Sequence, residues 1–391
     1  MARNELTEDN KAIIVDSLKA NEWAVRAAYR NLKERGFTFA RGTVGNVAME
    51  VKNEEAVASR LAAAEARIRS LQNTNTHLRK WYGESLKFND EILSALQTIP
   101  PPKLVKPIRA HTSERNTPAC APAADWHYSE VIDEEEMEGF NKYNTDIAAR
   151  RVAFLSDKEI KWILTERHGH RIDEVHIPIL GDMVTGNIHD ELITYAEFPL
   201  PVAVVNVSHL LAEKFISPFC AHFDVVHVHF IKTDNHSRLT KKKGSKRRST
   251  NSYNHIIAEM VRLLLRDHKN VHWHEYKSQK AEIDIGGQII LTDHGDSVRS
   301  YQGLPFGGFA REDGREAVKR MRAGRKFDDR MRAHWHQAGA GPFGIMCGCL
   351  CGSTELDAIS GRWSKPYQVS FLTHPDHGWY NFCRWDLSGI R

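Results

Sequence analysis

Ile177-Pro178-Ile179-Leu180-Gly181-Asp182-Met183-Val184-Thr185-Gly186-Asn187 is an apolar run that breaks off in Gly-Asp. Following Asp173-Glu174-Val175-His176, it predicts a buried strand whose C-terminal tip delivers one carboxylate into a turn. Sheets in α/β proteins place their chemistry at that end. Gly-Asp alone ends many ordinary strands, so the weight falls on the residues around it. Asp125-Trp126-His127 stands upstream. Asn235-His236, His294-Gly295 and His334-Trp335-His336 stand downstream.

The chain has 391 residues, which suits two or three domains. Apolar residues make up 41%, enough for a sizeable core, and the net charge of +4 excludes a global field that would demand a polyanion. The 21 histidines are frequent enough to suggest a metal site, since neutral imidazole is a common transition-metal ligand. Six scattered cysteines suit free thiols in a reducing compartment. No opening leader and no apolar run of about 20 residues is visible, so a cytoplasmic protein with no membrane partner is expected.

Outward toward the N-terminus, residues 6–35 predict two helices. Thr43 is expected to cap a third carrying Val44, Val47, Ala48 and Val51. This 1–52 segment resembles a helix-turn-helix DNA-binding module, with a small assembly bundle as the alternative. In 53–98, Val57, Leu61, Ala64, Ile68, Leu71, Asn75, Leu78 and Tyr82 follow steps of four and three. That is the seam of a coiled coil, and it predicts a homodimer, with a single amphipathic helix lying on its own globular domain as the alternative. Residues 99–122, opened by Pro100-Pro101-Pro102, read as an extended linker. The segment before Asp125 reads as a poor strand. The remainder, 123–391, alternates strands and helices as a layered α/β domain. Expected strands are 177–180, 225–231, 271–276, 281–292, 342–351 and 366–372. Expected helices are 148–166, 189–197, 251–266 and 313–326, while 202–207 is open between helix and strand.

The order Asp-x-His, Gly-Asp, Asn-His, His-Gly, His-x-His resembles the calcineurin-like metallophosphoesterase superfamily. The nearest pattern is that of phage and bacterial members related to DNA repair exonucleases, and it covers roughly 125–340. The resemblance implies a four-layer α/β/β/α sandwich and two divalent metal ions, Mn²⁺ first with Fe or Zn as alternatives. One ion would take Asp125, His127, Asp182 and His336. The other would take Asp182, Asn235, His294 and His334, with Asp182 bridging. His236 would donate a proton to the leaving oxygen while a metal-activated water attacks. The setting implied is a bacterial or phage-infected host cytoplasm. The chain departs from the family at Asp234 and Ala333, where glycine is usual. At Ser237 an acidic residue that orients the histidine is usual, so another group must orient His236.

Arg238, Lys241, Lys242, Lys243, Lys246, Arg247 and Arg248 follow His236 closely and are expected to bind nucleic acid, DNA in the first place. A basic stretch from Arg315 to Arg332 is expected to add to that surface. The expected function is a phosphodiesterase, a DNA nuclease first. The alternatives are a phosphatase or nucleotide phosphodiesterase, and a DNA-binding or assembly protein with a degenerate phosphoesterase domain. His222, His227, His229, His272 and His274 read as structural histidines. Cys347, Cys349 and Cys351 read as small packing residues on one strand face.

Overall fold

The protein is described here as a computed structural model covering residues 7–98, 116–242, 244–300, 305–361 and 363–391. The expected linker between 99 and 115, and Lys243, lie outside the described residues. The chain divides into two compact units, Met1–Lys87 and Phe88–Arg391.

In the first unit, α1 (Glu8–Ala20) starts at Thr7, whose side chain accepts from the Asn10 amide. α2 (Val25–Glu34) follows a turn, and α3 (Arg41–Thr98) contributes its residues up to Lys87 to this unit. Ile14, Leu18, Ala28, Leu32, Phe39, Val44 and Val47 close a small core. Thr43 lies inside α3 rather than capping it, and no helix break separates 1–52 from 53–98. The reason is that nothing in 41–98 interrupts a helix; the stretch holds no proline.

The second unit is mixed α/β. Its strands are β1 (Ala119–Cys120), β2 (Glu174–Ile179), β3 (Val225–Phe230), β4 (Val271–Glu275), β5 (Ala281–Ile285), β6 (Gln288–Asp293), β7 (Asp329–Arg332), β8 (Ala338–Gly341), β9 (Gly344–Cys347), β10 (Tyr367–His374) and β11 (Gly378–Asp386). Its helices are α4 (Thr145–Glu166), α5 (Asp190–Tyr195), α6 (Leu200–His209), α7 (Ser217–Cys220), α8 (Tyr253–Leu264), α9 (Phe306–Arg322) and α10 (Glu355–Ile359). A π-helical turn, Leu210–Ile216, joins α6 to α7, so the undecided 202–207 segment is helical. Leu200–Cys220 is long and apolar enough to cross a membrane, yet most of it is buried against α4 and α8 as a core helix.

One sheet has the order β11-β10-β1-β2-β3-β4, with β1 to β4 parallel. The other has the order β5-β6-β7-β9-β8, with β6, β7 and β9 parallel. Expected strand 281–292 is a hairpin, because Gly286 and Gly287 both take positive φ and turn the chain. Helices α4, α6 and α8 pack on the six-stranded sheet around Ile177, Val226 and Val228. A separate core of Leu180, Ile231, Ile283, Ile290, Met331, Ile345 and Phe371 joins residues of both sheets.

Residues 116–122, expected as the end of the linker, are not linker, and with Ala123 they are strand-like. They form the centre of the six-stranded sheet, between β10 and β2. The amides of Thr117, Ala121 and Ala123 donate to Arg171, His176 and Pro178 carbonyls at 2.7, 2.9 and 2.8 Å. Pro118 and Pro122 fall on the other parity, facing β10, where the missing donors break only that ladder. Composition therefore disguised a central strand. The cysteines are also placed differently from the expectation. Gly348 (φ +73°) ends β9 after Cys347, leaving Cys347 in the inter-sheet core and Cys349 and Cys351 in the helix-side core.

Candidate metal centre

Parallel strands converge their C-terminal ends on one place. Asp125 follows β1, Asp182 follows β2, Asn235 follows β3, His294 follows β6, and His334 and His336 follow β7. All the residues expected as ligands thus leave the ends of five strands drawn from both sheets. Their backbones are strained to do so. Asp125, His127, Asp182, His334 and His336 all have positive φ, between 44° and 71°. Such conformations cost side-chain-bearing residues of order 1–3 kcal/mol each and cluster at functional sites.

The side chains gather in two sets whose donor atoms lie within 4.8 Å of one another: Asp125, His127 and His336, then Asp182, His294 and His334. The His127 and His336 Nε2 atoms stand 3.2 Å apart. His294 Nε2 lies 3.0 Å from Asp182 Oδ2 and 2.9 Å from Asn235 Oδ1. Two donors about 2.1 Å from a shared ion stand roughly 3.0–3.4 Å apart in octahedral or tetrahedral coordination. Asp125 Oδ1 is buried with no hydrogen-bond partner among the described residues. A buried carboxylate oxygen left this way suits a cation. The donor set, its spacing and this orphaned oxygen fit divalent metal ions.

The electrostatics agree. Burial pushes Asp125 up to about 7 although His294 and His336 pull it down. Burial also opposes ionisation of Asp182, but His294, His236 and His127 hold its carboxyl well below the usual range. His294 is itself raised well above an ordinary imidazole: burial is outweighed by Asp182, Asp125 and Asp234. His336 is raised to about 10 against burial by Cys349 and Asp125, while burial and His294 bring His334 down to about 3. The Asp182 carboxylate draws a proton onto His294, the positive charge that a metal ion would supply instead.

Orientation comes from the backbone. His294 Nδ1 donates to the Leu180 carbonyl at 2.9 Å, which leaves Nε2 for the site. His236 is fixed twice. Its amide donates to Asp182 Oδ1 at 3.0 Å, and its Nδ1 donates to the Thr185 carbonyl at 2.7 Å. A carbonyl can only accept, so Nδ1 carries the proton and Nε2 is the titrating atom. The Thr185 carbonyl does what the acidic residue absent at 237 would otherwise do. The His236 ring meets His127 edge-on at 4.8 Å.

Sequence reasoning recognised Asp234 only as a departure from glycine. It is buried, and it braces the site by accepting from the Asp182 amide at 2.9 Å, the Ser237 amide at 2.7 Å and the Asn254 side chain. Its position beside Asn235-His236 was the one available signal. Asn254, twenty residues away on α8, offered none.

The basic segment differs from the expectation. Arg238 turns inward, donating to the Thr240, Asn235 and Lys241 carbonyls at 2.9, 2.5 and 2.9 Å. Arg248 donates to Asp296 Oδ2 at 2.8 Å and to the Asp234 carbonyl at 3.0 Å. Lys241 pairs with Asp190. These three charges fold the loop, while Lys242, Lys246 and Arg247 are exposed. Along α9 and beyond, Lys319 and Arg320 pair with Glu316, Arg325 with Glu282 and Lys326 with Asp328, while Arg330 and Arg332 are buried against Asp293 and Asp313. That stretch is largely neutralised within the fold.

No protein-family model and no curated protein matches the chain. Among solved structures, the sulfate thiohydrolase SoxB of Thermus thermophilus in complex with glycerol is similar at 9% identity and a TM-score of 0.27. The match covers 72% of this chain and 58% of that one. The chain thus spans under two thirds of that protein's length, and the likeness is too low to identify a shared fold.

Proposed function

We propose that the protein is a metal-dependent phosphoesterase that cleaves phosphodiesters, with DNA as the first candidate substrate. The observation that carries this is the convergence of two ligand sets, one of them containing Asp182, beside a histidine that is held by Asp182 and Thr185. Asp125, His127, Asp182 and His336 would hold one divalent ion, and Asp182, Asn235, His294 and His334 the other, with Mn²⁺ favoured over Fe or Zn. Such ions neutralise phosphate charge and activate the attacking water. His236 Nε2, once protonated, is the group that gives a proton to the leaving oxygen. The two sheets sharing one core, with α4, α6 and α8 on one side and α9 paired to β5 and β7 on the other, support an α/β/β/α reading of this unit.

The N-terminal unit is proposed to bind DNA through the start of α3 as its recognition helix, and to dimerise along α3. Val57, Leu61, Ile68 and Leu71 are 54–63% exposed on that helix, an apolar stripe that a second copy would cover. The side chains of Leu78 and Tyr82 lie outside the described set.

A second reading has a specific observation behind it. Three of the basic residues after His236 are engaged within the fold. A smaller phosphoester would need less positive surface than a polymer.

The test is a panel on the chelator-stripped full chain, with Mn²⁺, Fe²⁺ or Zn²⁺ restored. Its substrates are DNA, RNA, bis(p-nitrophenyl) phosphate and nucleotides. Metal-dependent release of nucleotides from DNA is expected. Turnover of small esters alone selects the second reading, and no turnover with any metal refutes both.

A further inference from the structure

A second group of potential ligands lies at the opposite end of the same strands. β2, β3 and β4 run parallel with His176, His227 and His272 in register, and His229 beside His274. Alternate residues share a face. Glu174, His176, His227, His229, His272 and His274 therefore line one side of the sheet. On the other side, Ile177, Val228 and Trp273 pack into the helix-side core. The histidine face looks onto an open cavity of about 470 Å³, lined across from it by Glu282 and Asp284 of β5 and by Gly286 and Gly287. Elsewhere between the sheets the filling is apolar. A ladder of imidazoles at this one place calls for a chemical reason.

The rings are ordered by each other. His176 stacks on His227 with centroids 4.4 Å apart, and His229 on His274 at 4.4 Å. His176 Nδ1 lies 3.0 Å from His229 Nε2, and His229 Nδ1 lies 2.9 Å from the Tyr276 hydroxyl. His227 Nδ1 lies 2.9 Å from His274 Nε2. These contacts are satisfied with the protons running in either direction along the rings. In the direction that a metal would select, His176 and His227 each donate from Nδ1 to the next imidazole and His229 from Nδ1 to Tyr276, which leaves the Nε2 lone pairs of His176 and His227 free. His227 Nε2 is 3.6 Å from Glu174 Oε2, and Glu174, His176 and His227 each bring a donor atom within 4.8 Å of the others. Metal-binding imidazoles commonly have their remote N–H held in this way.

We propose that Glu174, His176 and His227 form a second metal site, separate from the Asp125–Asp182 centre, for a single divalent transition-metal ion. The donor set of two imidazoles and a carboxylate suits Zn²⁺ or Ni²⁺ rather than Ca²⁺ or Mg²⁺. His176 and Asp182 are six residues apart on β2 and its extension, roughly 15–20 Å of extended chain, so no ligand is shared. The ion ties the start of β2 to β3. His229, His274 and Tyr276 are positioning residues that hold the two ligating rings, and the cavity supplies the remaining coordination positions with water.

The experiment uses the full chain in an Asp182→Asn background, so that occupancy of the other centre does not enter the comparison. Stripped protein is dialysed against Zn²⁺, and bound metal is counted by mass spectrometry. Glu174→Gln and His227→Gln are each expected to bind one Zn²⁺ fewer per chain than their parent. His272→Gln, on the same face but outside the ligand set, keeps the parent's count. Equal counts in the parent and Glu174→Gln would overturn the proposal. If His227→Gln does not fold, Co²⁺ titration of the parent and Glu174→Gln decides the matter. A visible d–d band that appears in the parent and is lost in Glu174→Gln supports the site, and its absence from the parent refutes it.

Discussion

Gly186→Ala tests the placement of His236 without touching any proposed ligand or the acid itself. Gly186 has φ +73°, and a Cβ there would stand 2.1 Å from the His236 carbonyl oxygen and 2.9 Å from its carbon. An ordinary carbon–oxygen contact is about 3.3 Å, so the His236 turn must recede by roughly 1.2 Å. That turn holds the amide bonded to Asp182 and the ring bonded to the Thr185 carbonyl. A displacement of about 1 Å in a reacting group costs on the order of 10²-fold in rate. The left-handed backbone adds about 1–2 kcal/mol of instability by itself. Gly324→Ala is the control: its φ is +67° and a Cβ there meets nothing within 4 Å. Gly324→Ala should lose about 1–2 kcal/mol in denaturant unfolding and leave kcat/KM unchanged. Gly186→Ala should lose that stability and also about 10²-fold in kcat/KM on a phosphodiester, with metal content retained. Wild-type kcat/KM in Gly186→Ala would refute the assigned role of the His236 turn. An equal activity loss in Gly324→Ala would show that strain alone was responsible.

Asp182→Ala should lose bound metal and activity together, whereas His236→Ala should keep its metal and lose about 10²–10⁴-fold on DNA. A nitrophenyl ester, whose leaving group needs little protonation, should suffer less; parallel metal counts and rates check both variants. Glu159 is buried and receives one hydrogen bond, from Ser370 Oγ at 2.6 Å, while burial raises its carboxyl well above 4.5. Above pH 4.5 the unfolded chain releases this proton and the folded chain keeps it, so stability falls as pH rises toward the folded value, by up to about 1.4 kcal/mol per pH unit. Glu159→Gln should flatten that slope in denaturation curves between pH 5 and 8; an unchanged slope would count against a neutral Glu159. Leu61→Glu with Ile68→Glu should convert a dimer to a monomer in sedimentation, and a wild-type chain that is already monomeric at high concentration would exclude the seam.

The sequence displayed the candidate centre because its residues come in short local pieces. Asp125-x-His127, Asn235-His236 and His334-x-His336 each sit at one strand end. Asp182 and Asn235 follow apolar runs that announce their strands, whereas no such run precedes Asp125 or His334, and there the pieces were legible while the strands were not. Ala119–Cys120 is a central strand, buried and paired on both edges by β10 and β2, yet it is written in alanine, cysteine and proline rather than in an apolar run. Partnerships across long separations were equally hidden. Gln368 donates to the Ala124 carbonyl at 2.9 Å and accepts from its amide at 3.1 Å, completing β1 from 244 residues away. Arg248 looked like a phosphate contact because Asp296, which neutralises it, is 48 residues distant. His236 shows the limit most sharply. The absence of an acidic residue at 237 signalled that something else must orient its ring. That group is the Thr185 carbonyl, which every residue at 185 would carry, so no side chain could have announced it. What selects it is the close approach of two loops, and the sequence records that approach only as Gly186, the position where a Cβ would collide with the His236 backbone.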